Sequence, residues 1–122
     1  MNVKPTMTTI RVKNLRLRTF IGFNEDERTK KQDVVINLRL TYNGENAADS
    51  DNIEDAFNYR TLTKQVITLV ESKSFLLLER LAQEVLELIM DAGTVESATV
   101  EADKPHALRF ADSVSVEMTA ER

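Results

Sequence analysis

With no cysteine and a single histidine, His106, this chain can do chemistry only with Lys, Tyr, Glu and Asp. That leaves acid–base work by amines, phenols and carboxylates. It excludes disulfides, thiolate nucleophiles and sulfur-ligated metals, and one imidazole does not build a His-rich zinc or iron centre. Four such side chains stand at the ends of regular elements, where functional groups concentrate. They are Glu27 in the first loop, Tyr59 at the start of a helix, Glu79 at the start of a second helix and Lys104 at the end of a strand. Each also has a plainer reading. Glu27 sits in a charged run, Tyr59 falls on an apolar stripe as core with a wet hydroxyl, and Lys104 precedes Pro105 as an ordinary turn lysine. Glu79 suits the positive end of a helix dipole, or it is a carboxylate offered to a ligand beside an apolar wall. The three glycines are scattered at 22, 44 and 93, so no glycine-rich phosphate cradle is present.

The elements that must position these groups follow from hydrophobic period. Ile10 and Val12 alternate on one face, then Leu15 and Leu17 after a change of phase around Asn14, which predicts a bulged strand. Gly22 opens a polar loop to Gln32. From 33 to 42, Val34, Ile36, Leu38, Leu40 and Tyr42 alternate with Val35, Asn37, Arg39 and Thr41, the clearest strand in the chain. Residues 43–57 read as a long turn-rich connection. Asn58 is an N-cap for a helix from Tyr59 to about Ser72, with Leu62, Val66, Leu69 and Val70 on its apolar stripe. The stretch 74–93 carries the second helix: Leu78, Leu81, Ala82, Val85, Ile89 and Ala92 share a face, Arg80, Glu84, Glu87 and Asp91 oppose it, and Gly93 is a left-handed stop. Alternation returns at Ala98, Val100 and Ala102, and again at Val114, Val116, Met118 and Ala120, around a loop that begins at Lys104. The order strand, strand, helix, helix, strand, strand predicts an α+β fold: a four-stranded antiparallel sheet with both helices on one face. Its other face is polar. Two open sheet edges are a hazard that pairing with neighbouring subunits would remove, giving a ring around a wet channel.

At 122 residues the expectation is a single domain, 1–122, with residues 1–7 as a tail. A net charge of -4 argues against nucleic acid as a partner. The first residues lack the apolar core of a signal peptide, and the longest apolar run is Phe75-Leu76-Leu77-Leu78, so no membrane partner and a cytoplasmic location are expected.

Three short motifs, Asn58-Tyr59-Arg60, Leu77-Leu78-Glu79-Arg80 and Asp103-Lys104-Pro105-His106-Ala107-Leu108-Arg109, resemble those of the dihydroneopterin aldolase family. Two longer ones, Lys13-Asn14-Leu15-Arg16-Leu17-Arg18-Thr19-Phe20-Ile21-Gly22 and His106-Ala107-Leu108-Arg109-Phe110-Ala111-Asp112-Ser113-Val114-Ser115, resemble its epimerase branch. The likeness runs through residues 9–120 in one register. It implies the tunnelling fold, in which ββααββ subunits form rings that stack into a homo-octamer with active sites between subunits. Glu79 matches the glutamate that anchors the amidine-like edge of a pterin, with the Leu78 backbone beside it. Tyr59 and Lys104 match the residues that handle protons on the trihydroxypropyl side chain. Glu27 matches a loop glutamate that positions that chain, and Asp51 a position that supports the adjacent subunit's site.

The resemblance implies cofactor-free inversion of C2' in 7,8-dihydroneopterin triphosphate, by retro-aldol cleavage of C1'–C2' and aldol recombination, to give 7,8-dihydromonapterin triphosphate. The alternatives are aldolase action, releasing 6-hydroxymethyl-7,8-dihydropterin and glycolaldehyde, and a non-catalytic pterin-binding ring. A triphosphate tail calls for cations, and Arg16, Arg18, Arg60, Lys64 and Arg109 are the candidates, unless they merely blunt strand edges. Arg60, where aldolases often carry Gly or Ala, favours the epimerase, as does the loop after Lys104, which is poorer in proline and glycine.

Overall fold

A computed structural model describes residues 3–122. Five strands and four α-helices follow one another: β1 (Thr8–Ile21), α1 (Glu25–Thr29), β2 (Gln32–Tyr42), α2 (Glu45–Ser50), α3 (Tyr59–Ser72), β3 (Ser74–Phe75), α4 (Leu78–Met90), β4 (Val95–Lys104) and β5 (Val114–Glu121), with one 3-10 turn at Ile53–Asp55. The fold is α+β, with sheet order β3-β1-β2-β4-β5. The β1–β2, β2–β4 and β4–β5 pairs are antiparallel, as expected for two hairpins around a helix pair.

The sheet has five strands, not four. Ser74 and Phe75, read as the head of the second helix, instead pair in parallel with Phe20 and Ile21 of β1. Lys73 and Leu77 are both extended, so the chain between the long helices is pulled straight while the Phe75 side chain drops into the core. Two residues are too few for a period to appear in sequence. The same limit hid α1 inside the polar loop and α2 inside the 43–57 connection. Gly93 is also not left-handed. Helix α4 ends at Met90, and the carbonyls of Met90 and Ala92 accept from the Arg122 guanidinium, a cation placed where the helix dipole is negative.

The long helices behave as their stripes require. Leu62, Val66 and Val70 of α3, with Leu81, Ala82, Val85 and Ile89 of α4, are buried against Leu17 of β1, Val34, Ile36, Leu38 and Leu40 of β2, and Val100 of β4. Each fully buried Leu, Ile or Val contributes about 1.5–3 kcal/mol by leaving water. Ala98 and Ala102 are the small residues of β4 beneath this layer, and they let α4 lie close to the sheet. Asn58 caps α3, its side chain accepting from the Thr61 N–H. The phase slip in β1 is a bulge: the β1–β2 register shifts between Val12 and Leu15, and Asn14 adopts a left-handed φ of 54°.

The opposite face of the sheet is polar and cross-linked by side chains, among them Thr41–Ser97 at 2.6 Å and Thr99–Thr119 at 2.9 Å. Strand β5 forms one free edge, and β3 covers only Phe20 and Ile21 of the other. Among the described residues, no helix is long and apolar enough to cross a membrane.

Candidate active site

One end of the sheet gathers most of the reactive side chains. Here β1 finishes at Ile21, β2 begins at Gln32, β4 finishes at Lys104, and β3 leads into α4. The Lys104 ammonium donates to Glu27 Oε2 at 2.6 Å, across 77 residues of sequence. Gln32 Nε2 donates to the same oxygen at 3.2 Å and to the Ile21 carbonyl at 2.6 Å, which ties α1 to the end of β1. The Lys104 and Glu27 side chains are 13% and 21% exposed. They are therefore shielded enough for the charges to interact strongly, yet open enough to meet a ligand. The hydrogen bond from Lys104 is the main reason the Glu27 carboxyl is held below its ordinary value; partial burial opposes this, and Gln32 and the Asn24 backbone add to the lowering. The pair sets one donor and one acceptor at the same place.

Local sequence explains how Glu27 arrives there. Asn24 is extended, and Glu25, Asp26 and Glu27 make an acidic first turn that suits the start of α1. Gly22 makes room. Its φ is 127°, and a Cβ on it would lie 2.2 Å from the Glu27 carboxylate. Its N–H donates to the Phe75 carbonyl at 2.9 Å, which joins the turn to β3.

Glu79 stands at this same end, as the second residue of α4, four residues past the end of β3. It is exposed and, among the described residues, makes no ion pair or side-chain hydrogen bond. Leu78 beside it is buried, while Leu76 and Leu77 are exposed, so the carboxylate does border an apolar surface. Arg109 lies in the loop after Lys104, over the Phe110 ring at 5.5 Å.

Tyr59 and Asp51 are elsewhere. The Tyr59 N–H donates to the Phe57 carbonyl, and the Phe57 ring packs on Tyr42 with centroids 5.5 Å apart. Tyr42 is paired with Val95, at the start of β4, whereas Lys104 is at its finish. Helix α3 spans the interval, 14 residues from Tyr59 to Ser72, so Tyr59 is roughly 20 Å from the end that holds β3. Its side chain is 52% exposed, which corrects its reading as plain core. Asp51 caps α2 in a left-handed conformation, on the segment leading to that same far end. One chain thus brings Glu27, Lys104, Glu79 and Leu78 to one end and carries Tyr59 and Asp51 to the other.

The cations divide likewise. Arg60 and Lys64 are exposed on α3 near Tyr59. Arg16 is exposed on β1, and Arg18 is engaged by Asp33 at 3.4 Å and the Lys31 carbonyl at 3.1 Å. Sequence reasoning passed over Gln32, which orients Glu27, and Arg28, the next residue of α1. Gln32 left no signal, since a glutamine at a strand start is ordinary. Gly22 ahead of an acid run was the one available hint that a carboxylate folds back there.

A family model described as FolB: Dihydroneopterin aldolase matches residues 10–119. A Pseudomonas aeruginosa protein named dihydroneopterin triphosphate 2'-epimerase is 53% identical over 120 residues, covering 98% of both chains. An Escherichia coli K12 protein of the same name is 51% identical over 113 residues, covering 93% of this chain and 94% of that one. Among solved structures, Escherichia coli dihydroneopterin aldolase in complex with neopterin superposes with a TM-score of 0.88 at 28% identity, covering 93% of this chain and 98% of that chain. The chain belongs to the dihydroneopterin aldolase family.

Proposed function

We propose that the protein is an epimerase that inverts C2' of 7,8-dihydroneopterin triphosphate to give 7,8-dihydromonapterin triphosphate, without a cofactor. The observation that carries the chemistry is the 2.6 Å Lys104–Glu27 pair at the sheet end that also bears Glu79. Inversion needs the C2' hydroxyl proton removed, the C1'–C2' bond broken and the same bond remade on the other face of the aldehyde. The electrons of the broken bond move into the pterin ring as an enol-like intermediate and return on recombination. No net proton is gained or lost, so Lys104 and Glu27, with Tyr59 as the partner acid or base, can pass the proton out and back. Glu79, without an ion pair or side-chain hydrogen bond among the described residues and next to the exposed Leu76 and Leu77, is suited to accept two parallel N–H donors from a pterin edge.

Epimerase is favoured over aldolase by the 53% and 51% identities to proteins named as epimerases, against 28% to the aldolase bound to neopterin. Both reactions share the cleaved intermediate, so some aldolase leakage accompanies epimerisation. Tyr59 and Asp51 complete the site from a neighbouring subunit, in a homo-octamer of stacked rings. The separation of Tyr59 from Lys104 within one chain and the free β1 and β5 edges support that assembly.

The test is product analysis. Purified protein is incubated with 7,8-dihydroneopterin triphosphate and with the unphosphorylated compound, and the products are separated by chromatography. The monapterin epimer is the expected main product from the triphosphate. Dominant release of the aldehyde fragment would make it an aldolase, and tight pterin binding with neither product would make it a binding protein.

A further inference from the structure

Next to the Lys104–Glu27 pair, across Gly22, lies a cleft of about 230 Å³ lined by Phe20, Gly22, Arg28, Ser74, Phe75 and Leu76. Arg28 is its one charged lining residue. In a chain of net charge -4, a cleft with a cation and no carboxylate on its walls runs against the overall balance. Arg28 makes no ion pair among the described residues, although Glu25 shares a shallower neighbouring surface with it. A second cation stands at the rim: Lys31 Nζ lies 5.8 Å from the centroid of the Phe20 ring, and Phe20 lines the cleft.

The arrangement follows from helix geometry. Successive residues of α1 point about 100° apart. Glu27 therefore turns to Lys104 while Arg28 turns to the cleft, with Gly22 between them. Gly22 has no side chain to separate the two spaces. The Glu27 carboxylate fills the space a Cβ would take there, so the cleft abuts the pair itself.

Resting on the epimerase reading, we propose that this cleft receives the phosphate tail of the substrate, with Arg28 as the contact that sets preference for the phosphorylated compound. A guanidinium pairs with two phosphate oxygens at once, which fixes direction as well as charge. Lys31 supports it as a point charge at the rim, and Ser74 supplies a hydroxyl donor. The cations of α3, Arg60 and Lys64, lie at the far end of the same chain and do not reach this cleft.

The test measures dissociation constants of 7,8-dihydroneopterin triphosphate, 7,8-dihydroneopterin and inorganic tripolyphosphate for the wild type, Arg28→Ala and Arg28→Lys. Wild type prefers the triphosphate over the unphosphorylated pterin. Arg28→Ala reduces that preference by about tenfold, the loss expected for one charge-assisted contact. Arg28→Lys retains part of it, and tripolyphosphate displaces the triphosphate from wild type but far less from Arg28→Ala. Equal affinity of wild type for both pterins, or a preference that survives Arg28→Ala, overturns the proposal. The product assay separates the two readings. Arg28-dependent preference without epimer formation keeps the cleft and refutes the epimerase; epimer formation with unchanged preference in Arg28→Ala keeps the epimerase and refutes the cleft.

Discussion

Two inactive variants of this protein should restore each other. The perturbation is Lys104→Ala in one preparation and Tyr59→Phe in another, each expected to lower kcat by about 10²–10⁴-fold as a proton-transfer group is removed. The structure puts these residues too far apart to serve one substrate from one chain. Asp103, the neighbour of Lys104, pairs with Val35, and Tyr42 stacks on Phe57 two residues before Tyr59. From Val35 to Tyr42 the strand rises seven times about 3.4 Å, or roughly 24 Å. The 14-residue span of α3 gives roughly 20 Å by an independent path. A catalytic group must come within hydrogen-bond reach of the reacting atom, directly or through one water. A shared site must therefore draw Lys104 and Tyr59 from different subunits. In randomly mixed oligomers of equal parts, an intact site needs Lys104 from the Tyr59→Phe chain and Tyr59 from the Lys104→Ala chain. The chance is one half times one half, so about one quarter of wild-type turnover returns. The assay is steady-state epimer formation after co-refolding, with mixing verified by native mass spectrometry. Activity no greater than the mean of the two parents, in oligomers shown to be mixed, refutes the split site.

Glu27→Gln should lower stability at neutral pH by about 0.5–1 kcal/mol, since partial exposure of both side chains discounts the pair. The Glu27 carboxyl is held low when folded, so its stabilisation is complete above the ordinary glutamate value of about 4.3 and fades as pH falls through the folded value. Urea unfolding at pH 7 and near pH 3 should show the gap between variant and wild type closing; a gap of the same size at both would contradict the assignment. Gly22→Ala forces a Cβ into the Glu27 carboxylate at a φ of 127°. It should cost about 1–3 kcal/mol through the strained φ and lower the turnover, because the flexible end of Glu27 must shift from its place beside Lys104. Wild-type kcat in that variant would remove Glu27 from the reaction. Leu81→Ala empties a fully buried position of α4 and should destabilise by about 2–5 kcal/mol in chemical denaturation.

What could be read from sequence was whatever has a local cause. The alternation of β1, β2, β4 and β5, the bulge at Asn14, the Asn58 cap and the stripes of α3 and α4 are each decided within a few residues, by period or by one side chain meeting a nearby backbone group. Glu79 at a helix start was legible for the same reason, as were Tyr59, Lys104 and Glu27 at the ends of elements, and the family resemblance assigned each a role. Elements of fewer than two periods, β3 and the two short helices α1 and α2, were not. Nor was any distance. The Lys104–Glu27 bond depends on the register of β2 with β4 and on the turn at Gly22, since hairpin pairing and sheet order bring together groups 77 residues apart. The same sheet register, with α3 laid along it, carries Tyr59 to the other end. Residue types determined which chemistry was available; only the packed sheet decided which of those residues one chain can bring together.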